Sequence, residues 1–433
     1  MKFLLSLICI KYDLRSRRDP LYGARIAWQL LALACLGLLT SCQSQVSVQS
    51  PGVSQNSIRI GSVLVLQGQD EALGNGMRLG LEASLAGEKV HGRSLDIIFK
   101  NDYYEPASAR KATEELLEDQ DIFLALGNVG TPTAHVTLPI LAEDNIPAVG
   151  FFTGAKLLRE NAVGPIVNYR AGYGQEIAAV VEMAIAAGIT TDEVCAYVQN
   201  DGYGLDALNN LKQTLAKLGA SNEIIQRYEL ILNSKGDRNN LGPVGVYTRN
   251  TPYSEPGYQS LKKWESESGV NCKLVVTAAT YRNLAYFIRV SRSKGEDWLI
   301  SGLSFTGADE LRLDLEEYNL LEGIILTQVV PLSDSDLRIV VEAKSALQDK
   351  FGVISLEGFV VGKMLLQILR DIPGEITRTN FLQQVAKSKF NLGGIPIDFT
   401  DGDNQGSDLV IVCQPTPNGF TEMIPSDFIS MLQ

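Results

Sequence analysis

Two doubly wound α/β lobes are the architecture this sequence predicts, and three observations predict them. The chain has 433 residues, 45% hydrophobic and 20% charged, which is too long for one compact core and too apolar for disorder. From Ser57 onward, short apolar β-rich runs alternate with amphipathic helical segments, the pattern of parallel sheets covered by helices. A second series of the same kind begins near Gly172. Late helices return to the first half, so the chain crosses between the lobes several times. In such sheets ligands bind beyond the carboxyl ends of the strands.

The elements follow in order. Ile58 to Leu66 is a β-rich run and Gln67 to Asp70 a loop. Leu73, Met77, Gly80, Leu81 and Leu85 then recur on one helix face. Strand Leu95 to Phe99 with helix Ala107 to Leu117, strand Ile122 to Leu126 with helix Thr133 to Ala142, and strand Ile146 to Phe151 complete four steps. The second series predicts helix Glu176 to Ala187, strand Val194 to Val198, helix Leu205 to Leu218 and strand Glu223 to Leu230. A polar loop, Asn233 to Gly245, precedes strand Val246 to Arg249 and helix Tyr258 to Glu267. Strand Lys273 to Ala278, helix Arg282 to Arg292 and strand Trp298 to Leu303 close that series. After Ile324 to Val330 come helices Leu337 to Asp349 and Leu356 to Leu369, then Phe381 to Ala386 and a β segment near Leu409 to Cys413.

The first forty residues read as an address. Arg15, Arg17, Arg18 and Arg25 precede the apolar stretch Ile26 to Leu39, which is short for a membrane span but suits a secretory leader. Ser16-Arg17-Arg18 is followed by Asp19-Pro20, which argues against a twin-arginine signal. The stretch ends in Leu39-Thr40-Ser41-Cys42, which resembles the bacterial lipobox, so Cys42 is expected to be acylated and to become the mature N-terminus. Residues 1–41 are then a signal peptide, and 42–56, rich in Ser, Gln and Val, a flexible tether. Beyond Cys42 the chain carries 32 basic and 48 acidic side chains, a balance that repels phosphate backbones and excludes nucleic acid as a partner. Cys195, Cys272 and Cys413 each lie inside an apolar run, and the expectation is three buried free thiols.

The loops at the predicted strand ends carry a series of motifs. Ile58-Arg59-Ile60-Gly61 opens it and Lys100-Asn101-Asp102-Tyr103-Tyr104-Glu105-Pro106 follows, then Gly127-Asn128-Val129-Gly130-Thr131-Pro132-Thr133. Gln199-Asn200-Asp201-Gly202-Tyr203-Gly204, Thr280-Tyr281-Arg282, Leu303-Ser304-Phe305-Thr306-Gly307, Thr327-Gln328-Val329-Val330-Pro331 and Leu356-Glu357-Gly358-Phe359 continue in the same order. This series resembles the type I periplasmic binding proteins, the branched-chain amino-acid binding family, over nearly all of residues 57–413. The resemblance implies the type I fold, with two lobes joined by a three-crossing hinge and a ligand held between them. It also implies an exported, membrane-anchored component of an ABC importer, partnered by permease and ATPase subunits and needing no cofactor. The expected lobes are 57–170 with 331–395, and 171–330 with 396–433.

The physical sense of the motifs stands beside the family. Gly127 and Gly130 permit close backbone approach, while the N–H groups of Thr131 to Thr133 open a helix and favour an anion such as a carboxylate. Phe152 and Thr153 close the next strand of the same lobe. From the second lobe the resemblance brings Tyr203, Tyr281 and the Ser304-Phe305 turn, where an aromatic face can hold an ammonium or stack on a flat ligand. Gln67, Val129 and Gln328 complete the expected set. In branched-chain amino-acid members an acidic residue near the Ser304 position pairs with the ligand ammonium, and this chain has no carboxylate until Asp309. Amides, short carboxylates and aromatic acids therefore stand beside amino acids as expected ligands.

Two other functional classes bear on the sequence. The histidines are His91 and His135, without metal-ligand spacing, and no Gly-x-Ser-x-Gly elbow, HExxH, CxxC or P-loop is present, so an enzyme is not expected. Lipoproteins of the same fold can also act as ligand sensors or as partners of cell-envelope enzymes. A polar-lined cleft favours transport or sensing, and a filled one the partner role.

Overall fold

The computed structural model describes residues 50–119, 121–160, 162–234 and 240–432. The leader, Cys42 and most of the predicted tether lie outside the described residues, as does the middle of the Asn233 to Gly245 loop. In chain order the first half runs β1 (Ser57–Leu64), α1 (Glu71–Leu85), β2 (Lys89–Val90), β3 (Arg93–Asn101), α2 (Pro106–Asp119), β4 (Leu124–Leu126), α3 (Thr131–Glu143), β5 (Ala148–Val149) and β6 (Ile166–Val167). The second runs α4 (Tyr173–Ala186), β7 (Val194–Gln199), α5 (Gly202–Lys217), α6 (Asn222–Asn233), β8 (Val244–Tyr247), α7 (Glu255–Ser268), β9 (Leu274–Ala278), α8 (Tyr281–Ser293), β10 (Leu299–Gly302), α9 (Ala308–Glu317) and β11 (Ile324–Gln328). Then come α10 (Arg338–Leu347), α11 (Val353–Arg370), α12 (Arg378–Val385), β12 (Lys389–Leu392), β13 (Ile395–Asp398), β14 (Ile411–Thr416), β15 (Gly419–Glu422) and α13 (Pro425–Met431).

One sheet has the order β2-β3-β1-β4-β5-β6 and the other β15-β14-β11-β10-β9-β7-β8. Both are parallel at their centres and antiparallel at an edge: β2 pairs antiparallel with β3, and β14 with β11. Central strands β7 and β9 are buried on both faces, which is why they read as continuous apolar runs rather than alternating ones.

Helices α10 and α11 come from late in the chain yet pack on α1 of the first lobe. Glycines make the α1–α11 crossing close. A Cβ on Gly80 would lie 2.1 Å from Ser355 O, and one on Gly358 would lie 2.5 Å from Met77 O. The two backbones therefore touch where larger residues would hold them apart.

The chain crosses between lobes after β6, after β11 and after β13, and the three crossings are tied together. Asn168 N–H donates to Asn404 O at 2.7 Å, Gly406 N–H to Asn168 O at 2.9 Å and Ser407 N–H to Tyr169 O at 2.9 Å. The Tyr169 hydroxyl donates to Val329 O at 2.8 Å.

Two expectations are corrected. Residues 223–230 form part of helix α6, not a strand. The β-branched and aromatic content drew the strand reading, but the buried residues Ile224, Tyr228 and Ile231 recur every three or four positions, and Ser221 caps the helix by accepting from Ile224 N–H. Cys195 and Cys272 are joined in a disulfide between the starts of β7 and β9, 77 residues apart in sequence, while Cys413 is free and buried. Parallel pairing of β7 with β9 brings the segment just ahead of β9 close to the start of β7, and Cys272, two residues before β9, comes within 5.7 Å of Cys195 between Cα atoms, a proximity that sequence spacing does not reveal. A disulfide fits an oxidising compartment.

Candidate functional site

The loop after β4 enters the gap between the sheets. Gly130 has φ 101, and a Cβ there would lie 2.3 Å from the Tyr104 ring and 3.0 Å from Thr133 Oγ1, so this turn takes glycine on both conformational and steric grounds. Helical bonding starts with Ala134 N–H donating to Gly130 O at 3.1 Å. The N–H groups of Thr131 and Thr133 lie ahead of it, at the positive end of α3. Thr131 Oγ1 is 2.7 Å from Thr153 Oγ1, which is 3.1 Å from the Tyr173 hydroxyl on the other lobe. The Thr133 hydroxyl turns back, donating to Val129 O at 2.5 Å and Gly130 O at 3.1 Å. Val129 itself bridges in parallel to Phe152.

Aromatic rings from both lobes meet above this floor. Phe305 stands in a 3-10 turn, Ser304–Thr306. Its ring centroid is 5.3 Å from Phe152, 6.0 Å from Tyr104 and 4.9 Å from Tyr203, and Tyr203 is 5.3 Å from Tyr173. All five rings are buried. The Tyr203 hydroxyl has no hydrogen-bond partner among the described residues. Tyr104 is carried by two consecutive non-glycine residues in the left-handed region, Tyr103 at φ 55 and Tyr104 at φ 57, a costly conformation. Side chains offset that cost, because Tyr103 N–H donates to Asn101 Oδ1 at 3.2 Å and Tyr104 N–H to Asp102 Oδ1 at 2.8 Å. The turn aims the Tyr104 ring at Gly130, and its hydroxyl accepts from Gln199 Nε2 of the opposite lobe at 3.3 Å.

Beside the rings lies a buried charge cluster. Arg170, on the first crossing, stands 4.9 Å over the Phe152 ring, 3.6 Å from Glu176 and 3.5 Å from Glu357. Glu176 accepts from Ser304 N–H at 2.8 Å, Ser304 Oγ at 2.9 Å and Thr327 Oγ1. Burial pushes the Glu357 carboxyl up to about 7 against the opposing pull of Arg170. On the hinge side, a crevice of about 330 Å³ is lined by Gly154, Arg159, Gly172, Gln175, Asn210 and Lys217.

At the mouth, polar contacts link the lobes. Arg249 reaches across to Glu105 at 2.9 Å and is braced within its own lobe by Asp201 at 2.6 Å. The Tyr281 hydroxyl donates to Gln69 O at 3.0 Å and Arg282 Nε to the same oxygen at 2.6 Å. Val353 N–H donates to Asp309 Oδ2 at 2.6 Å.

Of the residues singled out in the sequence, Val129, Gly130, Thr131, Phe152, Thr153, Tyr203, Ser304 and Phe305 come together, with the Thr133 hydroxyl turned aside. Tyr281 sits at the mouth. Gln67 is exposed, and Gln69 makes the cross-lobe contact instead. Gln328 is buried at the end of β11, but strand alternation puts it on the face opposite Thr327, the residue that meets Glu176. The sequence reading missed Tyr104, Arg170, Tyr173, Glu176 and Gln199. Tyr104 lay within a quoted motif, and two adjacent tyrosines in a tight turn were the signal. Glu176, 128 residues from Ser304, offered none.

A family model described as periplasmic binding protein matches residues 57–234. No curated protein matches significantly. Among solved structures, one described as a possible leucine/isoleucine/valine-binding protein from Rhodopirellula baltica SH 1 is 30% identical, covers 86% of this chain and 98% of its own, and superposes with a TM-score of 0.77. A branched chain amino acid ABC transporter protein from Thermus thermophilus with bound valine is 15% identical, covering 88% of this chain and 100% of its own, at TM-score 0.69. A solute binding protein from R. palustris in complex with 4-hydroxybenzoate is 16% identical, covering 85% and 96%, at TM-score 0.68. The last two likenesses are of fold.

The buried acids around the site make stability depend on pH. Burial raises Asp102 to about 7 and Asp70 to about 6. Such a group stays protonated in the folded chain where the unfolded chain has already lost the proton, so its contribution is largest below about pH 4 and is lost as pH rises through 6 to 7. Thermal melting should therefore give a higher midpoint at pH 5 than at pH 7.5. Asp102→Asn should remove roughly 1–3 kcal/mol of that dependence. A midpoint that climbs steadily from pH 5 to 7.5 would contradict these assignments.

Proposed function

This chain belongs to the periplasmic binding protein family, and from that premise we propose that it is the solute-capturing lipoprotein of an ABC importer, closing on a small polar ligand such as an amino acid, amide or small carboxylate. The observation that carries the reading is the cross-lobe floor and roof: hydroxyls of Thr131 and Thr153 and the open end of α3 from one lobe face Tyr173, Tyr203 and Phe305 from the other. Contacts drawn from both sides favour a closed, liganded state over an open one. The proposed lobes are 57–170 with 331–395, and 171–330 with 396–433, the last boundary shifting to the end of β13 at Asp398, which pairs with β12, and the hinge lying where Asn168, Val329 and Gln405 come together.

Binding is tested by thermal shift across amino acids, amides and small carboxylates. A compound at a hundredfold excess over Kd should stabilise the protein by about 2.7 kcal/mol, and Thr131→Ala should remove most of that shift. A second reading, an envelope-protein partner with a filled cleft, is favoured by the direct packing of Phe305 on Phe152, Tyr104 and Tyr203. It would prevail if no compound shifted the melt and native mass spectra of protein isolated from cells carried no small molecule.

Anchoring rests on the leader and Cys42. Cys42→Ala should release the protein from membranes. Unchanged membrane association, with Met1 retained, would exclude processing at this site.

A further inference from the structure

Asp70 stands where an aspartate ordinarily caps its own helix, and it does not do so. At the N-cap of α1 its carboxylate would accept an N–H from the first turn, yet no such bond is made. The side chain is 1% exposed, and neither oxygen has a hydrogen-bond partner among the described residues. It lies instead against the second lobe, beside Thr280 at the start of α8 and close to Tyr247 and Tyr281. A side chain that forgoes its local bond and stays buried without a partner is the mark of a functional position rather than of packing.

The groups around Asp70 do not complete it. The Tyr247 hydroxyl spends its hydrogen on Gln199 Oε1 at 3.0 Å while accepting Thr280 N–H at 3.1 Å, and the Tyr281 hydroxyl spends its own on Gln69 O at 3.0 Å. Thr280 has a single hydroxyl hydrogen to give, against about four acceptor positions on a carboxylate. Arg282 is exposed, donates Nε to Gln69 O at 2.6 Å and acts on Asp70 only from a distance. Burial raises the Asp70 carboxyl to about 6, so at pH 7.5 the molecule encloses a negative charge with no cation against it, a costly arrangement. What the place lacks is a compact cation with several donors. An ammonium brings three N–H donors and no acceptor, which suits a carboxylate with open positions and a Tyr247 oxygen with a lone pair left. The place is continuous with the aromatic roof, because Gln199 also donates to the Tyr104 hydroxyl at 3.3 Å, and the Tyr104 ring is 6.0 Å from Phe305.

Building on the solute-binding reading, we propose that Asp70 is a cation subsite between the lobes: the solute carries a primary ammonium that pairs with Asp70 as the lobes close, with its body reaching toward Tyr104 and Phe305.

Calorimetry at pH 7.5 with probes matched except for the ammonium tests this on the intact protein: leucine against 4-methylpentanoate, 5-aminopentanoate against pentanoate, and 2-phenylethylamine against 2-phenylethanol. At least one ammonium-bearing probe should bind tenfold or more tighter than its partner. Asp70→Asn should erase that margin, leave any binding of the partner unchanged and keep the melting midpoint at or above the parent value, since it removes a buried charge. A margin that survives in Asp70→Asn overturns the proposal, because the ammonium then sits elsewhere. Equal or tighter binding of the probes without an ammonium, or binding by none of the six, also overturns it and leaves the solute-binding reading standing. The broader reading falls only if protein isolated from cells carries no small molecule and the wider screen is silent.

Discussion

Arg170 carries a full charge into a place water does not reach, and two carboxylates from different parts of the chain keep it there. Glu176 belongs to the first helix of the second lobe and Glu357 to α11, which packs on the first. A buried charge that loses one partner is destabilised by several kcal/mol, so the cluster fixes where the two lobes can stand relative to the crossing. Its influence continues outward. The same Glu176 holds the Ser304 turn by backbone and side chain, and the residue after Ser304 is Phe305, the ring at the centre of the roof. Hinge geometry and site geometry thus meet in one buried charge cluster, ion-paired at Arg170 and hydrogen-bonded from Glu176 to the Ser304 turn.

The mouth is held differently. Glu105 is 44% exposed in its pair with Arg249, and ion pairs in contact with water are worth about 0 to 1 kcal/mol each. The rigid connection lies at the hinge, while the far edge is joined by contacts that are easily exchanged for water. A molecule built this way can open at the mouth without disturbing its charge cluster. A ligand needs only a differential affinity of a few kcal/mol to set the balance.

The parts of this arrangement visible in the sequence are those encoded locally. The alternation of β runs and helical faces gives both sheets, and the loop from Gly127 to Thr133 announces its own chemistry through two glycines and a helix start. Parity and distance defeat the rest. Gln328 and Thr327 differ by one residue and face opposite ways, and Gln67 and Gln69 differ by a turn whose course no pattern records. Glu176 and Cys272 act on partners 128 and 77 residues away, through contacts that exist only once the sheets are assembled. The residues of helix α6 favour β structure individually, and only their helical period, with Ile224, Tyr228 and Ile231 buried, distinguishes it from a strand.

Closure of two lobes around one ligand is the claim on which the rest depends, and small-angle scattering with and without a calorimetrically verified ligand addresses it directly. The account predicts that saturation lowers the radius of gyration as mouth contacts such as Arg249 with Glu105 become fully populated. An unchanged radius in a saturated sample would contradict it, because binding would then be occurring without the lobes coming together.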